Sequence, residues 1–321
     1  MKAVVYKSYG PPEVLTVEDV EKPRPSDDEV LVRVYATSVN PAEWYGMTGL
    51  FLARIGNGLV RPKNTRLGAD YAGVVEAVGA NVTRFKPGDE VFGGRSGAYA
   101  EYVCVRENIA PKPANLTFEE TGGVAIAGLT ALQGIRDHGK LKAGQKVLIN
   151  GASGGVGTFA VQIAKALGAE VTAVCSTRNV DLVRSLGADH VIDYTKEDFT
   201  RNGKRYDLLL DIAGSRSWRE YKRVLKPQAI LVIVGGPKGN RIIGPLAHVI
   251  KVRVAALRAS QKVVFFVANF NRDDFMILKD MFENGKVKPV VEKVYPLDKV
   301  CEAMRHLGTG HAKGKIVVTM R

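Results

Sequence analysis

The sequence predicts an α/β protein in which a doubly wound parallel sheet follows a smaller, irregular β-barrel. Three observations predict it. From Lys146 onward, strand-length apolar runs alternate with helix-length runs. The first 122 residues instead carry short β-rich runs broken by Gly, Pro and Asp. Between them lies a strand that ends in the small-residue turn Gly151-Ala152-Ser153-Gly154-Gly155-Val156-Gly157 and runs straight into an apolar helix.

At 321 residues the chain exceeds one ordinary core, so two domains are expected. The boundaries read as 1–122 for the β domain, 123–268 for the sheet domain, and 269–321 for a tail too short to be another full strand–helix unit. Such a tail can return to complete the first domain.

Taken in order, the β-rich runs are Lys2 to Tyr6, Leu15 to Val20, Glu29 to Ser38, Gly73 to Val78, Glu90 to Phe92 and Tyr99 to Val105. In Glu29 to Ala36 the alternation puts Val30, Val32 and Val34 on one face. At Phe118 the period changes, and a helix is predicted through Leu129 to Ile135. Strand Lys146 to Asn150 then opens the series helix Val156 to Leu167, strand Val171 to Cys175, helix Val180 to Leu186 and strand His190 to Asp193. Strand Leu208 to Ile212, helix Trp218 to Leu225, strand Ala229 to Val234 and strand Val263 to Ala268 continue it. The tail reads as helix Phe275 to Asn284, an extended piece Pro289 to Tyr295, helix Asp298 to Leu307 and strand Lys315 to Met320. The apolar stretch Gly49 to Val60 reads either as a lid over a hydrophobic ligand or as a short packed helix.

Composition excludes several classes. A chain 45% hydrophobic and 25% charged fits a globular fold, and no apolar run approaches the roughly 18 residues of a membrane helix. The start, Met1-Lys2-Ala3-Val4-Val5-Tyr6, enters a strand pattern with no secretion signal, so a cytoplasmic location is expected. Cys104, Cys175 and Cys301 are too few and too irregular for a disulfide framework or a cysteine zinc cluster. The net charge of +13 is concentrated between Arg201 and Lys262, where fourteen Lys and Arg face only Asp207, Asp211 and Glu220. This segment is either a solvated face or a surface for RNA or an anionic membrane.

The glycine turn is a dinucleotide site in outline. Gly151 permits the tight exit from the strand, Gly154 lets a pyrophosphate approach the main chain, and Gly157 lets the helix pack on the strand. Ser153, Gly155 and Val156 then lie along the phosphates, where the free N–H groups of a helix start face an anion. A cofactor without a 2′-phosphate calls for an acid at the end of the second strand. This chain has Ser176, Thr177 and Arg178 there, donors suited to a 2′-phosphate, so the cofactor is read as NADPH. The bland alternative leaves Arg178 at the start of the next helix, in solvent.

Gly68 to Val75, Phe85 to Val91, Gly97 to Tyr102, Gly128 to Ala131, the Gly151 turn and Gly310 to Lys315 together resemble the medium-chain dehydrogenase/reductase superfamily in its zinc-free quinone oxidoreductase branch. Closest in pattern are the reticulon-interacting and chloroplast-envelope quinone oxidoreductase-like members. The resemblance implies a GroES-like catalytic barrel built from both ends of the chain around a central Rossmann domain, a homodimer formed through the sheet edge, and hydride transfer to a quinone or an enal or enone. Where zinc-dependent members carry their catalytic ligands, this chain has Asn40, Ala69 and Ile126. Metal-alkoxide chemistry is therefore not expected.

The resemblance also places Asn40 and Thr130 near the nicotinamide, Tyr194 at the adenosine phosphate, and His311, Ala312 and Lys313 beside the cofactor. Phe265 and Phe266 either wall the nicotinamide or fill the core. Tyr45 and Tyr71 are candidate proton donors for an unsaturated carbonyl, whereas a quinone can take its protons from water. Glu43 stands where many relatives have Asp. The competing function is a cofactor-binding protein that uses its basic segment on RNA or an anionic membrane.

Overall fold

The computed structural model describes residues 1–214, 216–236 and 243–320. The chain divides into two compact units, Met1–Leu129 with Asn269–Gly285 and Pro289–Arg321, and Thr130–Ala268 with Lys286–Lys288.

The first unit is organised around one long strand. β1 (Lys2–Tyr6) and β2 (Leu15–Asp19) form an antiparallel pair. β3 (Glu29–Ser38) leads into two short helices, α1 (Pro41–Thr48), which the sequence pattern does not signal, and α2 (Phe51–Asn57), which forms within the apolar stretch Gly49 to Val60 but buries none of its residues. β4 (Asp70–Val78), β5 (Glu90–Gly94), β6 (Tyr102–Arg106) and β7 (Ala110–Pro111) follow. β3 pairs antiparallel with both β4 and β6. Its Val30, Val32 and Val34 point into a cluster with Tyr71, Val75, Phe85, Val91, Val105 and Ile109, the face that the alternation predicts.

The helix expected from Phe118 to Ile135 is interrupted. It forms as α3 (Phe118–Thr121), α4 (Ala125–Gln133) and a five-residue π turn, Gly134–His138. Gly122 marks the break, because a Cβ there would come within 2.9 Å of the Ala36 backbone on β3. The helix gives way so that the chain can pass the strand.

The second unit alternates as predicted. β8 (Lys146–Asn150), α5 (Gly155–Ala166), β9 (Glu170–Cys175), α6 (Val180–Ser185), β10 (His190–Asp193), β11 (Tyr206–Asp211), α7 (Trp218–Val224) and β12 (Leu225–Ile233) lead to α8 (Pro245–Ala255) and β13 (Lys262–Phe265). The six strands are all parallel in the order β10-β9-β8-β11-β12-β13. The order reverses between β8 and β11, and their carboxyl ends form the crevice in which such sheets bind ligands. Helix α8 escapes periodicity because its apolar residues lie on two faces. Val249 and Val252 are buried, while Ile250 and Val254 are exposed. β13 stops at Phe265, three residues short of the predicted strand.

The tail supplies α9 (Arg272–Glu283), β14 (Val291–Pro296), α10 (Val300–Gly308) and β15 (Lys315–Thr319). β14 runs parallel to β15, and β15 pairs antiparallel with Ala36–Ser38 of β3. The carboxyl terminus thus returns to the first strand system, carrying Lys315 into its interior.

Candidate active site

In the second unit the nucleotide turn has the geometry that its composition implies. Gly151 has φ +91°, a conformation that a side chain would strain. A Cβ on Gly157 would lie 2.2 Å from the Gly151 carbonyl oxygen, so only glycine lets α5 close on the turn. The amides of Gly151 and Ala152 donate to the Val174 carbonyl at 3.2 and 3.0 Å, fixing the turn on β9. Gly154 is the N-cap of α5, with no side chain capping it, and Gly155 and Val156 open the helix. The cradle fits a dinucleotide pyrophosphate.

Around the turn, a residue not singled out from sequence holds two loops together. Asn179 is buried, and its Nδ2 donates to Ser153 Oγ at 2.9 Å and to Ser176 Oγ at 3.3 Å. An amide spanning two serines leaves no trace in a single sequence. Thr177 is more committed than its type suggests. Its hydroxyl donates to Asp193 Oδ2 at 2.5 Å and lies 2.9 Å from Thr195 Oγ1. Hydrogen bonds from Thr177 and Thr195, with the charge of Lys196, hold the half-buried Asp193 carboxyl down at about 2. An ionised acid therefore stands beside the second strand end, contributed by the third. Arg178 is exposed on the same loop, and Tyr194, 52% exposed, is fixed by its amide to the Cys175 carbonyl at 3.0 Å.

Phe265 packs against the cluster under β12, and Phe266 stacks on His138 with ring centroids 4.1 Å apart. Thr130 lies half-buried on α4. At the crevice, Asp211 ends β11 fully buried, accepting from Asn150 Nδ2 at 2.8 Å, from the Gly214 amide at 3.1 Å and from the Tyr221 hydroxyl. These bonds set the start of the loop after β11.

In the first unit the polar residues near α1 converge on one buried network. Asp70, at the start of β4, is wholly buried. One of its carboxylate oxygens accepts from the Ile126 amide at 2.7 Å. The other accepts from Asn40 Nδ2 at 3.1 Å, from Lys315 Nζ at 3.3 Å and from the Ser38 hydroxyl. Lys315 also donates to Asn40 Oδ1 at 2.5 Å and is only 4% exposed. Glu43, in the first turn of α1, accepts from the Asn40 amide at 2.7 Å. Removing ions from water is costly, and the pairing with these extra hydrogen bonds offsets it. The result is an Asn40 side chain held on both its oxygen and its nitrogen.

This arrangement bears on the metal. Of the three positions at which the zinc-dependent pattern needs ligands, Ala69 and Ile126 have no donor side chain, and the Asn40 oxygen is taken by an ammonium. Among the described residues, no group of three or more His, Cys, Asp or Glu could hold a metal ion. Lys315 and Asp70 were visible in sequence only as members of motifs. Topology, bringing β15 to β3, makes them partners.

The two tyrosine candidates differ sharply. Tyr71 is fully buried in the barrel cluster, its hydroxyl lacks a hydrogen-bond partner, and burial pushes its pKa up. Tyr45 is half-buried on α1, and burial raises it too. His311 is exposed, Ala312 packs on the α10 cluster, and the Lys313 amide donates to Glu292 at 2.8 Å. In the basic segment, Lys226 pairs with Asp207 at 2.8 Å, and Arg216 lies 3.5 Å from both Asp198 and Glu220. Lys238 and Arg241 of that segment lie outside the described residues.

Residues 26–114 match the family described as alcohol dehydrogenase GroES-like domain, and residues 186–318 match that described as zinc-binding dehydrogenase. The chain is 35% identical over 342 residues to a chloroplastic quinone oxidoreductase of Triphysaria versicolor, covering 99% of this chain and 98% of that protein. It is 35% identical over 334 residues to the NADPH-dependent alkenal/one oxidoreductase of Arabidopsis thaliana, covering 99% and 79%. The structure of the quinone oxidoreductase from Coxiella burnetii superposes with a TM-score of 0.88 at 29% identity, covering 100% and 99%. With this fold, this turn and relatives 35% identical across 99% of this chain, the chain belongs to the medium-chain dehydrogenase/reductase superfamily, among its quinone oxidoreductase-like members.

Proposed function

We propose that the protein is a metal-independent, NADPH-dependent reductase that delivers hydride to a quinone or to the β-carbon of an α,β-unsaturated carbonyl. The observation that carries this reading is the Asn40–Asp70–Lys315 network. It puts a fixed internal cation where a zinc-dependent relative would need metal ligands, on a scaffold shared with quinone and alkenal reductases. The bound cofactor supplies the hydride. The chain's own residues bind and orient. Gly151 and Gly157 shape the cradle, and the α5 amides meet the pyrophosphate. With Thr177 turned to Asp193, recognition of a 2′-phosphate falls to Arg178, Ser176 and Tyr194, with Arg178 as the charged partner.

Asn40 and Thr130 are assigned to positioning the nicotinamide, with Phe266 on His138 as an aromatic wall and His311 to Lys313 as the closing segment. Quinone oxygens take protons from water. For an enone, Tyr45 is the better donor, because the Tyr71 hydroxyl is sealed in the core. The binding-protein alternative has less support, since part of the basic segment is neutralised by local acids.

The test is NADPH and NADH consumption with quinones, 2-alkenals and saturated alcohols in the opposite direction, by wild type and Arg178→Ala. Turnover is expected with quinones or alkenals and not with alcohols. Arg178→Ala should weaken NADPH by ~1.5–3 kcal/mol, the loss of a charged hydrogen bond, and leave NADH nearly unchanged. Equal losses for both cofactors would remove Arg178 from the phosphate site.

We also propose a homodimer through the edge of the parallel sheet. Among the described residues β13 pairs only with β12, and Ile250, Val254, Leu257 and Val267 near it are 54–82% exposed. A sedimentation mass of two chains, falling to one in Ile250→Glu/Val254→Glu, is expected. A wild-type mass of one chain would refute it.

A further inference from the structure

The segment after α1 presents apolar side chains to the outside from a base that is firmly tied down. Phe51, Leu52, Ile55, Leu59 and Val60 are 50%, 41%, 61%, 60% and 83% exposed, and α2 buries none of its own residues. This exposure is not fraying. Tyr9 donates to the Gly58 carbonyl at 2.7 Å, and Asn57 Nδ2 donates to the Tyr6 hydroxyl at 2.9 Å. The Asn64 amide donates back to Asn57 Oδ1 at 2.7 Å. Arg54 bonds the Gly49 carbonyl at 2.8 Å and lies over the Tyr9 ring at 4.6 Å. Tyr6 and Tyr9 thus hold Asn57, Gly58 and Arg54 to the body of the unit, while the apolar side chains stay exposed.

Along this stretch of chain the charge has one sign. From Trp44 to Ala69 there is no Asp or Glu, while Arg54, Arg61, Lys63 and Arg66 are all basic, and Arg61 and Lys63 are exposed beside Leu59 and Val60. An ordered apolar knuckle flanked by two exposed cations has the chemistry of a monotopic contact with an anionic bilayer, in which the apolar residues enter the acyl boundary and the cations meet lipid phosphates. A second copy of this chain would bring like charges together at the same patch, and an acidic protein surface would not call for five apolar side chains.

We infer that Phe51–Lys63 is a surface by which the protein docks on anionic lipid membranes. The binding does not depend on the reductase reading. If that reading holds as well, docking gives access to acceptors dissolved in the bilayer.

The experiment is co-sedimentation of the full chain with vesicles of phosphatidylcholine alone or of phosphatidylcholine mixed with anionic phosphatidylglycerol as probe. Retention on the mixed vesicles is expected to exceed that on neutral ones at least tenfold. It should fall at least tenfold in both Phe51→Ser/Ile55→Ser and Arg61→Glu/Lys63→Glu, and decline in high salt. All four side chains are exposed, so unchanged melting temperatures are expected to show that the variants fold. Turnover of a water-soluble quinone, measured alongside, reads the reductase separately. Equal retention on neutral and anionic vesicles, or wild-type retention by both variants, would overturn the inference. So would loss of a dimer in Phe51→Ser/Ile55→Ser, which would assign the patch to a second copy.

Discussion

Glu43 shows how a single burial sets chemistry. Desolvation, then the charge of Asp70, pushes its carboxyl up to about 8 against the opposing pull of Lys315. In an unfolded chain the same group titrates near ~4.3. The folded value is the higher one, so its contribution to stability is whole below pH ~4 and is lost as pH rises to about 8, by up to ~1.4 kcal/mol per pH unit. Glu43→Gln keeps an acceptor for the Asn40 amide and removes the titration. Its melting temperature relative to wild type should therefore climb from pH 5 to 8 and level off above. A difference that is flat across this range would mean that Glu43 is ionised in the fold throughout. Sequence alone exposed only half of this cluster. Asn40 stood out by resemblance and Glu43 as a departure from relatives, but Lys315, 275 residues from Asn40, became its partner only through the β15–β3 pairing.

At the scale of elements, the β8–turn–α5 unit was the most legible part of the chain, because Gly151 and Gly157 there answer local steric demands. Gly157→Ala tests this directly. Its Cβ would meet backbone atoms of Gly151 and Ala152 at 2.2–2.7 Å, and neither can swing away as a side chain would. The variant should lose ~1–3 kcal/mol of stability, as overpacked sites do, and bind NADPH more weakly. Unchanged melting and affinity would mean that the turn is looser than its contacts imply. Elements were missed where the local signal was weak. α8 carries apolar residues on two faces, one packed and one exposed, so no single stripe marks it. The pattern from Phe118 gives no sign of the Gly122 break, because that break answers to Ala36, on a strand more than eighty positions earlier. By its type Thr177 suits phosphate binding, yet its hydroxyl serves Asp193 from the neighbouring strand.

The whole molecule joins a nucleotide-binding sheet to a barrel whose polar interior is organised by an ammonium. Alternation, glycine spacing and the block of shared motifs made the fold class readable. Which side chains meet inside the barrel was not readable, since that depends on a strand returning from the carboxyl terminus. The central claim is hydride transfer without a metal, and labelled cofactor tests it most directly. With NADPH deuterated at the transferring position of C4, a 2-alkenal and protein stripped by a strong chelator, the saturated product should carry one deuterium at its β-carbon by mass spectrometry. A product without deuterium, or an allylic alcohol formed only after zinc is added back, would contradict the account.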